Sequence, residues 1–168
     1  MAEATIILWN HEPYYGSPAR KEFSLNWEGE LLRADLTLDV DPYSPGWPIF
    51  GGCVNRIVVN GTDIQFTGDP CNVMTADLRP YLRKGANVIE FYHNANPIPG
   101  IQSGGAYGYI VIEATGQAGG EVKPEACKIF FGLIPIGEVP EPWCGIINAA
   151  TIIAVVAVAG IIVYKVVT

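Results

Sequence analysis

From Gly145 to Tyr164 the chain reads GIINAATIIAVVAVAGIIVY, without a charged side chain. At about 1.5 Å per residue, about 20 apolar residues in a helix cross the roughly 30 Å hydrocarbon core of a bilayer. One face of a soluble helix needs neither that length nor that uniformity. Helices of ordinary domains average about 11–12 residues and keep a polar face, which argues against a fully buried core helix. Trp143 before the stretch, and Tyr164 with Lys165 after it, are the amphipathic residues expected at the two membrane interfaces. The sequence thus predicts a single transmembrane anchor over residues 144–168. Inside the span Asn148 is the one strongly polar side chain, and Ala150, Ala154 and Ala157 follow at helical spacing. Such a small-residue face allows close helix packing. A lone anchor with Asn148 near the headgroups is the simpler reading and is preferred.

Two signals disagree about the side of the membrane. Glu138 and Glu141 precede the span and Lys165 follows it, which by the positive-inside tendency leaves the large N-terminal part outside. Against this, MAEATIILWNHEPYY has no basic start and only a short apolar run, so it does not read as a signal peptide. The chain is therefore expected to be tail-anchored. The cysteines, Cys53, Cys71, Cys127 and Cys144, fit either side. They show no zinc-type spacing. Cys53 and Cys71 flank a hairpin-like stretch and are close enough in sequence to pair, Cys144 lies at the membrane edge, and free thiols remain an equal alternative.

About 140 residues remain before the span, the size of one domain with a sizeable core. A formal charge of −7 offers no basic patch for a phosphate backbone, so nucleic acid is not an expected partner, and neither is peripheral attachment to anionic lipid. Period-two patterning then points to strands. Phe23, Leu25 and Trp27 alternate with polar residues, and Leu32, Ala34, Leu36, Leu38 and Val40 share one face opposite Arg33, Asp35, Thr37 and Asp39. Arg56–Val59 runs into Asn60-Gly61, a strong hairpin signal, with Asp63–Phe66 returning. Asp77 caps a turn-like segment through Tyr81 and Leu82 that Lys84-Gly85 ends. Val88–Tyr92 and Tyr107–Ala114 are further strands, Asn10–Arg20 is turn-rich, and GQAGGE is a flexible break. No amphipathic run of helical length precedes residue 145. The expected class is all-β, a jelly-roll-type β-sandwich followed by the C-terminal transmembrane helix. Its divisions are residues 1–127 for the sandwich, 128–143 for a last strand or membrane-proximal segment with a Pro-rich spacer, and 144–168 for the anchor.

Three elements in order, Val58–Gly61 (VVNG), Asp77–Leu82 (DLRPYL) and Lys84–Phe91 (KGANVIEF), resemble the galactose-binding-like jelly roll. The nearest likeness is to the sugar-binding domain that accompanies family two glycoside hydrolases, and it covers roughly Phe23 to Ala114. The resemblance implies a fold, with each element in a mechanical role. It implies no hydrolase activity, because no catalytic barrel accompanies it.

Catalysis has little support in the residues. His11 and His93 are the only histidines, each in or beside an expected loop, with no serine elbow or Cys/His arrangement nearby. No cofactor is expected. Asp39, Asp41 and Asp69 are hard oxygen donors near loops, the chemistry of structural calcium, but solvated surface aspartates are the preferred reading. Tyr14, Tyr15, Tyr43, Trp47, Asn94 and Asn96 fall on expected loops and carry the aromatic faces and amides that sugar recognition uses. Loop aromatics equally anchor protein interfaces. Trp9, Trp27, Tyr107 and Tyr109 are expected in the core or on sheet faces. Asn60-Gly61-Thr62 matches a glycosylation sequon, which the hairpin turn explains without a glycan. Two functions follow as expectations. The first is a non-enzymatic virion component, a minor capsid or membrane protein tying the subunits of a protein shell to a lipid bilayer. The second is a membrane-tethered module that binds glycans at a cell or particle surface.

Overall fold

Alternating residues form strands here as the pattern predicts, and the strands run further than the pattern. The computed structural model describes residues 1–15, 17–42, 53–94, 102–123, 127–129 and 134–137. Its strands are β1 (Ala2–Tyr15), β2 (Ala19–Trp27), β3 (Leu31–Pro42), β4 (Val54–Val59), β5 (Thr62–Ile64), β6 (Thr67–Gly68), β7 (Val73–Asp77), β8 (Gly85–His93), β9 (Gln102–Ala114), β10 (Ala118–Val122), β11 (Cys127–Ile129) and β12 (Ile134–Gly137). The chain divides into two compact units, Met1–Lys123 and Pro124–Thr168. In the first, one five-stranded sheet runs β1-β9-β3-β7-β6 and a second runs β10-β2-β8-β4-β5. All pairings are antiparallel. The two sheets enclose one apolar core, so the unit is an all-β sandwich. In the second unit β11 pairs with β12, antiparallel, among the described residues.

The core is what the alternation writes. Leu36, Leu38 and Val40 of β3, Phe23 and Leu25 of β2, Ile57 of β4, Ile89 and Phe91 of β8 and Ile110 and Ile112 of β9 are buried. Each large apolar side chain removed from water contributes about 1.5–3 kcal/mol. Leu32 departs from the expected face. A bulge between Leu31 and Arg33 inserts it as an extra residue opposite β9, so Leu31 packs on the core in its place.

β1 replaces most of the turn-rich segment expected after Trp9. Two bulges, at Leu8 and His11, let it run to Tyr15, and His11 adopts a φ of 52° to do so. β1 is an edge strand, where the missing N–H of Pro13 leaves no ladder bond unmade. The bulges turn Trp9, Glu12 and Tyr14 toward the facing sheet, opposite Gly108, Ala106 and Gly104 of β9. Small residues are required there: a Cβ on Gly108 would lie 2.7 Å from the Trp9 ring. The expected break at GQAGGE is instead the edge strand β10, paired with β2 from Ala118 opposite Trp27 to Val122 opposite Phe23. Gly120 faces inward, and a Cβ there would meet the Ser24 carbonyl at 2.6 Å and Ile6 at 2.9 Å. Glycines that look like punctuation are packing positions.

The VVNG, DLRPYL and KGAN elements meet in one clasp. Asn60 and Gly61 take φ of 51° and 83°, the positive pair of a two-residue hairpin turn. The Asn60 amide nitrogen donates to the Tyr81 carbonyl and to Asn87 Oδ1, both at 2.8 Å, while Asn60 Oδ1 accepts from the Val88 N–H at 3.0 Å. Buried Asn87 in turn donates to the Arg83 and Gly85 carbonyls. The Asp77 carboxylate accepts the Arg79 N–H and binds its guanidinium, which reaches the Leu32 carbonyl. With its amide committed three ways, Asn60 serves the turn and the clasp in the folded chain.

Candidate functional site

Six strand ends gather at one end of the sandwich: the last residues of β1, β3 and β8 and the first of β2, β4 and β9. The connections at residues 16, 43–52 and 95–101 leave from there. Their stems are tied to one another. The His93 N–H donates to Ser17 Oγ at 3.1 Å, and the Asn94 N–H to the Cys53 carbonyl at 3.3 Å. A disulfide joins Cys53 to Cys71 across a separation of 18 residues. It lies in the turn Asp69–Asn72, whose Pro70 and Asn72 carbonyls accept the N–H groups of Val54 and Val40. Asp69 Oδ1 caps that turn on the Cys71 N–H at 2.9 Å. Both stems of the 43–52 connection are therefore held by one cross-linked turn.

Beneath this end lies an aromatic cluster. Trp9 and Tyr14 meet Phe91 edge-on at 5.1 and 5.2 Å between ring centroids, and Tyr14 meets His93 at 5.0 Å. Tyr14, expected on a loop, is instead 3 % exposed within β1. Its hydroxyl has no hydrogen-bond partner among the described residues. Burial, with a smaller contribution from the Asp41 carboxylate, pushes its pKa up to about 12. Lys21 is also buried, because the alternation that points Phe23 and Leu25 inward points Lys21 inward too. Its ammonium pairs with Glu12 at 2.7 Å across the sandwich edge. His93 continues the inward series Ile89, Phe91, a periodicity present in the sequence and carried one residue past the expected strand end.

Of the residues predicted to form a ligand site, Tyr14 lies under the surface and Asn94 is exposed at the end of β8. The Tyr15 side chain, Tyr43, Trp47 and Asn96 lie outside the described residues, as do the anchor residues Trp143, Asn148, Ala150, Ala154, Ala157, Tyr164 and Lys165. Among the described residues no helix is long and apolar enough to cross a membrane. Asp39 and Asp41 sit on β3 and Asp69 in its turn; no group of three or more His, Cys, Asp or Glu side chains converges among the described residues. Trp9 is in the core, and half-buried Trp27 packs on its margin under the Lys84 ammonium, 5.5 Å from the ring.

The outer faces of the two sheets differ in kind. On the second sheet, charges alternate in a connected chain. Glu22 takes Lys123 at 3.1 Å and Arg20 at 2.8 Å, Arg20 reaches Glu90 at 3.3 Å, and Glu90 accepts the Tyr92 hydroxyl. Arg56 lies 4.9 Å from the Tyr92 ring centroid and pairs with Asp63. Hydrogen bonds from Lys123 and then Arg20 hold the Glu22 carboxyl below its usual range, and Arg56 does the same for Asp63. On the first sheet, Ile7, Tyr109, Thr37, Thr75 and Thr67 form one cross-strand row, and Tyr107, Asp39 and Val73 the next. The His11 ring stacks on Tyr107 at 4.4 Å and 9°. The first sheet has its ion pairs at one end, Arg33 with Asp35 and Arg79 with Asp77, and is aromatic, apolar and acidic toward the other.

Comparison with protein-family models, with curated proteins and with solved structures returns no match to this chain.

Proposed function

We propose that this protein is a non-catalytic, membrane-anchored structural and interaction protein, a virion component that ties a protein shell to a lipid membrane. The observation that carries the reading is a β-sandwich followed in the same chain by the uncharged stretch Gly145–Tyr164. A sandwich of the galactose-binding-like jelly-roll type agrees with the clasp in which Asn60, Asn87 and the 77–82 turn take mechanical roles. The Cys53–Cys71 disulfide favours a domain held in an oxidising environment, outside the cytosol or on a released particle. Purified membranous particles from infected cells, fractionated and probed for this chain, test the reading. Enrichment in the particles supports it; even distribution through host membranes overturns it.

The alternative is a membrane-tethered carbohydrate-binding module. It is favoured by the aromatic and amide chemistry of Tyr43, Trp47 and Asn96, which lie in sequence between strand ends, Pro42 with Val54 and His93 with Gln102, that the described residues bring to one end of the sandwich. Tyr14, buried beneath that end, is a support for such a site rather than a contact in it. A glycan array probed with the full chain in a neutral detergent decides. Binding that is lost in Trp47→Ala and Tyr43→Ala supports the module, and silence across the array removes it.

A further inference from the structure

Among the described residues, the large hydrophobic side chains that stand exposed, apart from Met1, are Ile7 at 46 % and Val73 at 41 %, and both belong to the outer face of the first sheet. Between them lie the half-buried rings of Tyr107 and Tyr109, 5.5 Å apart, and the Asp39 carboxylate directly across from Tyr107. Asp41 follows on the same side of β3 and is exposed. Among the described residues no lysine or arginine forms an ion pair with Asp39 or Asp41. The arginines beside this sheet are engaged toward its other end, Arg33 with Asp35 and Arg79 with Asp77. Six residues of strand, about 20 Å at roughly 3.3 Å each, separate Arg33 from Asp39.

We infer that this face docks a basic segment of a partner protein, with a lysine or arginine over the Tyr109 ring, beside the Tyr107 ring on which His11 stacks, and against Asp39 and Asp41. Charge complementarity selects this occupant. A cation is attracted both to the ring faces and to the unpaired carboxylates, and a lysine or arginine stem covers apolar surface such as Ile7 and Val73. A second copy of this chain is a poorer fit, because the arginines it would bring on this face, Arg33 and Arg79, are already paired with Asp35 and Asp77. The opposite face offers no such site, since its carboxylates Glu22, Glu90 and Asp63 already hold cations. The inference rests on the reading of the sandwich as an interaction module and deepens it by giving the partner's chemistry; it does not depend on the anchor.

The test is fluorescence anisotropy of a labelled hexa-arginine peptide with the full chain in a neutral detergent at low salt. Replacing both carboxylates (Asp39→Asn with Asp41→Asn) should weaken binding about fivefold, as two exposed ion pairs of about 0.5 kcal/mol predict. Tyr109→Leu, which keeps the apolar bulk and removes the π face, should weaken it about two- to fivefold. Glu28→Gln with Glu121→Gln makes the same change in net charge away from this face and should leave binding unchanged. Equal weakening by that control pair overturns the inference, as does undetectable binding by the parent chain. Displacement of the peptide by neutral oligosaccharides reassigns the face to glycans and also overturns it. Chemical-denaturation midpoints identify any variant whose loss is a loss of fold, and Asp39→Asn alone then serves in place of the pair. Failure of the shell-to-membrane reading would show instead in the particle fractionation and leave these affinities untouched.

Discussion

The Tyr14 hydroxyl is the residue at which burial and chemistry disagree. Among the described residues it has no hydrogen-bond partner, and leaving a buried hydroxyl unpaired costs about 1–3 kcal/mol. The ring, in contrast, is well placed against Phe91 and His93. Tyr14→Phe keeps the ring and deletes the orphan, so its unfolding free energy at pH 7 should equal or exceed the parent's by up to about 1 kcal/mol. The alkaline limb gives the sign independently. A tyrosine raised from 10.0 to about 12 stays protonated in the folded chain while the unfolded chain ionises. Its contribution is complete below pH 10 and is lost as the pH rises toward 12. Urea unfolding from pH 8 to 11.5 should therefore show a steeper alkaline fall for the parent than for Tyr14→Phe. Parallel curves would mean that the hydroxyl ionises normally in the fold. Only part of this was legible in the sequence. Tyr14 follows Pro13 in a polar stretch that reads as a turn, and its burial depends on bulges at Leu8 and His11 that no local pattern announces. The inward burial of Lys21, by comparison, was legible, since it lies two residues before Phe23 and four before Leu25 in a strand with period two.

At the scale of the element, what the sequence showed best was whatever is decided locally. The Asn60-Gly61 hairpin rests on two positive φ angles that those residue types supply, and the β3 alternation needs only its own side chains. The second half of β1 and the whole of β10 read as turn and break in the sequence because both are decided by the partner they pack on. β10 is instructive, for its adjacent glycines face opposite ways. A Cβ on Gly119 meets nothing within 4 Å, whereas one on Gly120 strikes the Ser24 carbonyl. Gly120→Ala should thus lower the unfolding free energy by about 1–3 kcal/mol through forced displacement of backbone. Gly119→Ala should change it by a few tenths, and equal effects would show that β10 is held less closely than described. The Asn60–Asn87 clasp lies between these cases. Its residues were visible as a resemblance, while the hydrogen bonds joining them span 27 and 28 positions and had no local signature.

For the whole molecule, the prediction concerns the C-terminal stretch. Replacing Val156 with Arg puts a charge at mid-span, worth about 2.5–3.5 kcal/mol on insertion scales. Detergent-phase partitioning should hold the parent chain and release a measurable fraction of Val156→Arg into the aqueous phase. A parent chain that stays aqueous would refute the anchor and with it the shell-to-membrane tether. Beyond that, the way the sandwich ends has a mechanical meaning. The last strand before Lys123 is β10, an edge strand whose ladder with β2 starts from Val122 opposite Phe23, reinforced by the Lys123 N–H on the Glu22 carbonyl. Tension applied from beyond residue 123 enters the sandwich at that point. Where that tension runs across the strands, it loads those contacts one after another, as a zip opens; only a pull along the strands would shear the whole ladder together. Since β10 lies at an edge and the Asn60 clasp lies elsewhere, β10 can give way while the β2–β8–β4 pairing stays closed, which makes it a yielding link between the sandwich and whatever pulls on the remainder of the chain.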